Sequence, residues 1–167
     1  ADECFMGLLQ KLDHDLSAGG ASKSDDLFGF KIDYEFKNTE DETEEPTYMS
    51  EAFKKLGCVI DNQANPVNLM TDGIQAGLVA DVEKMSHNQG RNCVYSKTGK
   101  IGSLPKYLIV QKLRFIWKPA NAATQTQAGK AKIMRNVMFP KVLELEPFCT
   151  DAIKSTITHG KELQRKI

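Results

Sequence analysis

The sequence predicts an α+β domain, and three observations carry that prediction. Phe28, Phe30, Ile32, Tyr34 and Phe36 alternate with Gly29, Lys31, Asp33 and Glu35, so one strand buries a single face. Helical spacing recurs near both termini and once between them. The coarse order is helix, hairpin, helix, two or three strands and helix, which is an α+β arrangement.

The elements follow in chain order. Phe5, Leu8, Leu9, Leu12 and Leu16 fall on one helical stripe, with Asp2 and Glu3 where a helix N-terminus favours negative charge. Small residues at 17–22 read as a flexible connection. After the alternating strand, the acidic run Glu40, Asp41, Glu42, Glu44, Glu45 and Pro46 reads as an exposed, mobile tip. A second strand is expected over Phe53–Ile60, paired with the first as a hairpin. A helix is expected over 70–86, with Ile74, Leu78, Val82 and Met85 on one side, Thr71 as N-cap and Asp72 in the first turn. Next come a polar turn at 87–90, a short strand at Cys93–Tyr95 and a Lys-Thr-Gly-Lys turn at 97–100. Tyr107–Trp117 carries apolar residues on both faces and reads as a central strand. An Asn/Ala/Thr/Gln loop follows over 120–129, then a returning strand over Ile133–Val137 and a corner at Phe139-Pro140. Thr150 caps a last helix bearing Ile153, Ile157 and Leu163, weakened by Gly160.

The chain has 167 residues, 41% hydrophobic and 26% charged, with 22 Lys+Arg balancing 22 Asp+Glu. That length supports a core without disulfide or metal staples. The balanced charge gives no reason to expect a nucleic-acid or anionic-membrane partner. Apolar runs such as Tyr107–Val110 fall far short of the roughly 20 residues a membrane helix needs. The chain opens at Ala1 directly in an amphipathic pattern, and reads as a piece of a longer protein.

Catalytic chemistry is sparse. Cys4, Cys58, Cys93 and Cys149 form no C-x-x-C and stand near no histidine in sequence, so they read as reduced thiols of a cytosolic or nuclear protein. A thiol nucleophile needs a base within hydrogen-bond reach, and nothing in the spacing of His14, His87 or His159 supplies one. The sequence has no nucleophile elbow, phosphate loop, dinucleotide fingerprint or zincin motif. Composition and spacing alone describe a binding domain.

Two blocks add a resemblance. Ala1-Asp2-Glu3-Cys4-Phe5 resembles the end of the Q-Q-D-A-x-E-[FC] box of ubiquitin-specific proteases, and Leu104-Pro105-Lys106-Tyr107-Leu108 through Arg114-Phe115 resembles their palm strand. Leu27–Phe30, Gly90–Tyr95, Val137–Pro140, Leu143–Leu145 and Phe148–Thr150, in that order, resemble the proteasome-associated branch. The resemblance covers nearly the whole chain. It implies the palm and fingers portion of a papain-like cysteine protease hand. The corresponding pieces would be a box helix at 1–17, a fingers hairpin at 27–60, a helix at 70–86, palm strands over 104–137 with a mobile loop at 118–130, and a helix at 150–166.

By the same resemblance, the parent protein is a thiol hydrolase that cleaves after the C-terminal glycine of ubiquitin, on conjugates held at the proteasome in the cytoplasm or nucleus. The family's cysteine and histidine boxes match nothing here, so this chain by itself is expected to be inactive and to need no cofactor. Implied partners are ubiquitin, its conjugates and the proteasome, with neither nucleic acid nor membrane. Glu3 matches a carboxylate that contacts the arginine-bearing tail of ubiquitin, a role suited to charge-assisted hydrogen bonds. A helix-terminal carboxylate favoured by the dipole is the plainer role for the same residue. Phe115 and Trp117 are the other implied ubiquitin contacts. Lys118, Asn121, Gln125 and Lys130 belong to the implied gating loop, which is otherwise an ordinary hairpin loop. Gln111 stands where many relatives carry histidine, and the fingers lack the C-x-x-C pairs that hold zinc in many of them. The competing assignment is a non-catalytic module that binds ubiquitin or the proteasome.

Overall fold

The computed structural model describes residues 2–16, 22–60, 67–120 and 127–165. In chain order the elements are α1 (Asp2–Leu16), α2 (Lys23–Phe28), β1 (Phe30–Asn38), β2 (Thr47–Phe53), β3 (Leu56–Val59), α3 (Met70–Gly77), β4 (Val79–Ser86), β5 (Arg91–Ser103), β6 (Val110–Leu113), β7 (Phe115–Lys118), β8 (Gly129–Lys132), a 3-10 turn (Glu146–Phe148) and α4 (Asp151–Arg165). Helices and antiparallel sheet make it an α+β fold. The chain divides into two compact units: residues Ala1–Leu56, Leu78–Ile109 and Glu144–Ile167 form the first, Gly57–Gly77 and Val110–Leu143 the second.

The first unit is built on a four-stranded antiparallel sheet ordered β2-β1-β5-β4. The period-two pattern of β1 sends Phe30, Ile32 and Tyr34 into the core, where Tyr95, Ile101 and Cys93 of β5 join them. Phe53 packs on Phe30 and edge-on to Tyr34, at centroid distances of 6.1 and 6.4 Å. Such tilted aromatic contacts stabilise beyond their buried area.

Several expectations are corrected here. The partner of β1 is Thr47–Phe53 and not Phe53–Ile60, because Thr47 pairs directly with Phe36 and the acidic segment closes the hairpin. The helix expected over 70–86 stops at Gly77, and Val79–Ser86 is a strand paired with β5. Ile74, Leu78 and Val82 satisfy a four-residue period, but Gly77 and the following β-branched Val79 favour the break, and eight residues of cross-strand pairing hold it. The turn expected at 97–100 lies inside the 13-residue β5. Gly99 allows this: a Cβ there would stand 2.7 Å from the Tyr34 ring, which lies across it from the neighbouring strand. The true turn is 87–90, where Gly90 takes φ 64° and its N–H reaches the Ser86 carbonyl at 2.9 Å.

Helix α1 turns a different stripe inward from the one expected. Leu9 is buried and Phe5, Met6 and Asp13 are half-buried, whereas Leu8, Leu12 and Leu16 are exposed. The reason is polar: Asp13 accepts hydrogen bonds from the Ser24 N–H (2.8 Å), the Ser24 hydroxyl and the Ser22 hydroxyl (2.8 Å), which fixes the rotation of α1 against α2. Ser22 also caps α2 by accepting from the Asp25 N–H. At the other end of the chain α4 occupies Asp151–Arg165, with the Thr150 carbonyl accepting from the Lys154 N–H.

In the second unit β3 pairs with β6, and α3 lies close to β3. A Cβ at Gly73 would overlap the Val59 carbonyl and stand 2.6 Å from the Cys58 sulfur, so helix and strand meet backbone to backbone. Ile74, Cys58, Ile60, Val67, Ile133 and Val137 are buried. β7 and β8 form an antiparallel hairpin in the register Phe115↔Lys132 to Lys118↔Gly129. The strand expected over Ile133–Val137 is therefore displaced toward Gly129. Tyr107–Trp117 is not one central strand: Arg114 separates β6 from β7, and Phe115 and Trp117 are about two-thirds exposed.

Candidate functional site

The β7–β8 hairpin assembles four of the residues singled out in the sequence. Phe115 and Trp117 alternate by two and share one face, 68% and 66% exposed. Trp117 is paired with Lys130, and Lys118 with Gly129, so Lys118 and Lys130 stand where the strands meet the loop. Asn121 and Gln125 lie outside the described residues. Two large rings left in water beside ammonium groups form a surface suited to stack on and order a polypeptide, since aromatics supply much contact area for few rotatable bonds. Glu3 sits exposed in the first turn of α1, in the first unit.

The sheet of the first unit carries a feature the sequence did not reveal. The Lys97 ammonium lies 3.6 Å from the Tyr34 ring centroid and 5.6 Å from that of Phe36, while Lys84 stands 5.4 Å from Phe36 and 5.5 Å from Tyr95. Lys84 also donates to the Thr47 hydroxyl at 2.9 Å. A cavity of about 320 Å³ opens on this face between Phe36, Met49, Val82 and the two lysines. Burial, reinforced by Glu51, pushes the Tyr34 phenol up, so it stays protonated. Only the cross-strand register brings Lys97 beside Phe36, and no local spacing signals it.

The acidic segment is pinned, contrary to the mobile tip expected. Glu44 accepts from Asn38 (2.6 Å), Tyr95 (2.7 Å) and the fully buried Ser86 (2.7 Å), and Glu40 accepts from the Val94 N–H (2.9 Å) and Arg91 (2.7 Å). These bonds hold both carboxylates below the usual range; Asn38 contributes most at Glu44, and the Val94 amide most at Glu40. Asp13 lies well below it too, through the Ser24 hydroxyl first, then the Ser24 amide, Ser22 and Lys54.

The cysteines are poor candidates for chemistry. Cys58, Cys93 and Cys149 are buried, with sulfurs near the carbonyls of Met70, Arg91 and Leu145, and burial pushes the Cys58 and Cys149 thiols up. Cys4 is exposed. Among the described residues no hydrogen bond joins a cysteine to a histidine, and no cluster of three or more His, Cys, Asp or Glu is arranged to hold a metal ion. No helix among them is long and apolar enough to cross a membrane.

The family model described as ubiquitin carboxyl-terminal hydrolase matches residues 1–162. The chain belongs to that family. It is 32% identical over 170 residues to ubiquitin carboxyl-terminal hydrolase 6 of Arabidopsis thaliana, covering 99% of this chain and 33% of that protein. It is 33% identical over 168 residues to ubiquitin carboxyl-terminal hydrolase 6 of Schizosaccharomyces pombe, covering 100% of this chain and 33% of that protein. It is also 27% identical over 158 residues to ubiquitin carboxyl-terminal hydrolase 14 of Caenorhabditis elegans, covering 94% and 30%. The chain thus spans about a third of the length of the curated relatives it matches.

Proposed function

We propose that this chain is the ubiquitin-holding part of a thiol protease that hydrolyses the peptide or isopeptide bond after the C-terminal glycine of ubiquitin. The observation that carries the proposal is the family match over residues 1–162. In this assignment the sheet of the first unit cups the body of ubiquitin, its ammonium-capped rings offering both apolar area and charge. The β7–β8 hairpin lies along the ubiquitin tail, and Glu3 engages a tail arginine. The loop at 118–130 gates the groove. The nucleophilic cysteine and its histidine base come from the remainder of the protein. Alignment of the scissile bond is then this chain's contribution to rate. The parent acts on proteasome-bound conjugates in the cytoplasm or nucleus.

The test uses the full-length protein and a fluorogenic ubiquitin C-terminal amide. Trp117→Ala and Phe115→Ala should each raise KM about tenfold or more, the loss of about 1.4 kcal/mol or more of binding that an exposed aromatic anchor supplies. Shortening 120–129 should raise activity measured without proteasomes. Unchanged KM in both aromatic variants would remove the hairpin from the ubiquitin site. A full-length protein with no ubiquitin amidase activity that still binds ubiquitin would favour the non-catalytic module.

A further inference from the structure

Strand β4 ends its sheet and pairs on one side only, with β5. That pairing runs without a bulge from Val79↔Thr98 to Ser86↔Arg91. A proline, a bulge or a very short strand closes many open edges to further pairing, and the eight residues of β4 use none of these. Its outer side therefore presents a row of backbone donors and acceptors, and residues 79–85 are exposed apart from the half-buried Val82. Alternation adds a side-chain pattern. Val82 pairs with Tyr95 and shares the ring-bearing face with Lys84, whereas Val79, Asp81, Glu83 and Met85 stand on the opposite face. On that face Val79 and Met85 are 44% and 53% exposed, about 20 Å apart along the strand. Asp81 is paired with Ser96 and Glu83 with Val94, so neither carboxylate meets a cation across the strand. Among the described residues neither takes part in a hydrogen bond or an ion pair. The nearby cations are committed elsewhere: Arg91 to Glu40 at 2.7 Å, and Lys84 to the Thr47 hydroxyl at 2.9 Å.

We infer that β4 takes an extended basic segment of a partner protein as a fifth strand, its two Lys or Arg side chains two residues apart against Asp81 and Glu83, its apolar end residues against Val79 and Met85. Backbone pairing to an open edge supplies the attachment, and the period of two decides which side chains of the segment meet the carboxylates. The order apolar-x-basic-x-basic-x-apolar reads the same from either end, so parallel and antiparallel segments both satisfy it. A second copy of β4 does not, because its lysine stands on the other face and brings no cation to Asp81 or Glu83. An added strand extends the sheet sideways and leaves the ring-bearing face uncovered, so the inference does not depend on the assignment of that face to ubiquitin.

The experiment measures binding of fluorescein-labelled peptides to the full-length protein by anisotropy. The probe is a seven-residue peptide in which valine, lysine, lysine and valine alternate with threonine. Its controls carry glutamine for each lysine, or the same residues with the two lysines adjacent, or the same sequence N-methylated at its three central amides. The probe should bind about tenfold or more tightly than each control, with affinity falling as salt rises. Asp81→Lys with Glu83→Lys should reverse the preference, so that the peptide with glutamate for lysine becomes the better ligand, while KM for the fluorogenic ubiquitin substrate stays unchanged. Equal binding of the adjacent-lysine or the N-methylated peptide would reduce the effect to general charge attraction and overturn the added strand. An unchanged preference in the charge-reversed protein overturns the assignment to Asp81 and Glu83, and absence of probe binding at millimolar peptide overturns the docking edge altogether. The three control peptides alter only the ligand, so the outcome stands even if the doubly substituted protein folds poorly.

Discussion

A single carboxylate, Glu44, ties its own loop to three strands: the end of β1 through Asn38, β4 through Ser86 and β5 through Tyr95. Glu44→Gln keeps the shape but not the charge, and should raise hydrogen exchange across 38–46 and 86–95 while leaving 57–60 unchanged. Glu44, Glu40 and Asp13 all lie below the ordinary carboxylate range in the folded chain. Their stabilisation is therefore complete above the unfolded pKa of about 4 and is lost as pH falls through their folded values. A thermal midpoint followed downward from pH 7 should decline in that acid range, less steeply in Asp13→Asn and Glu44→Gln. At the same scale, native titration with a thiol reagent should modify Cys4 quickly, with Cys58, Cys93 and Cys149 reacting only on unfolding.

At the scale of elements, the glycines divide by what surrounds them. Gly73 sits where a side chain would meet β3, so Gly73→Ala should cost about 1–3 kcal/mol in denaturant unfolding. Gly160 has open space around it in the middle of exposed α4, so Gly160→Ala should instead stabilise by about 0.5–1 kcal/mol. The elements also show what was legible in the sequence. β1 was plain because Phe30, Ile32 and Tyr34 bury one face and leave Lys31 and Asp33 on the other. α3 was placed but overextended, because Leu78 and Val82 fit a helical period as well as a strand paired to β5. α2 has a local signal in Ser22, which caps it through the Asp25 N–H, but its anchor on Asp13 of α1 lies beyond any local pattern. The exposure of Phe115 and Trp117 was invisible for a similar reason, since apolar alternation reads alike in a core strand and in a surface hairpin. Of the candidate site, the hairpin residues come from the resemblance alone, whereas the lysines over the rings required the register.

At the scale of the molecule, the buried residues fall into two sets that follow the two units. Ile74→Ala removes a fully buried side chain from the second unit and should cost about 2–5 kcal/mol there. Hydrogen exchange in that variant should rise more over 57–60 and 67–77 than over 30–38, and a uniform rise would show that the units unfold as one.

The strand order also constrains how the chain can reach this state. β1 with β2 and β4 with β5 are hairpins closed by short connections, but the sheet exists only when β1 meets β5, as when Phe36 aligns with Lys97 across the whole intervening sequence. The entropy of closing that long loop falls on a single step, which two preformed hairpins can complete by zipping edge to edge. Refolding should then be slow for a chain this size, with the β1–β5 seam the last part of the sheet to become protected.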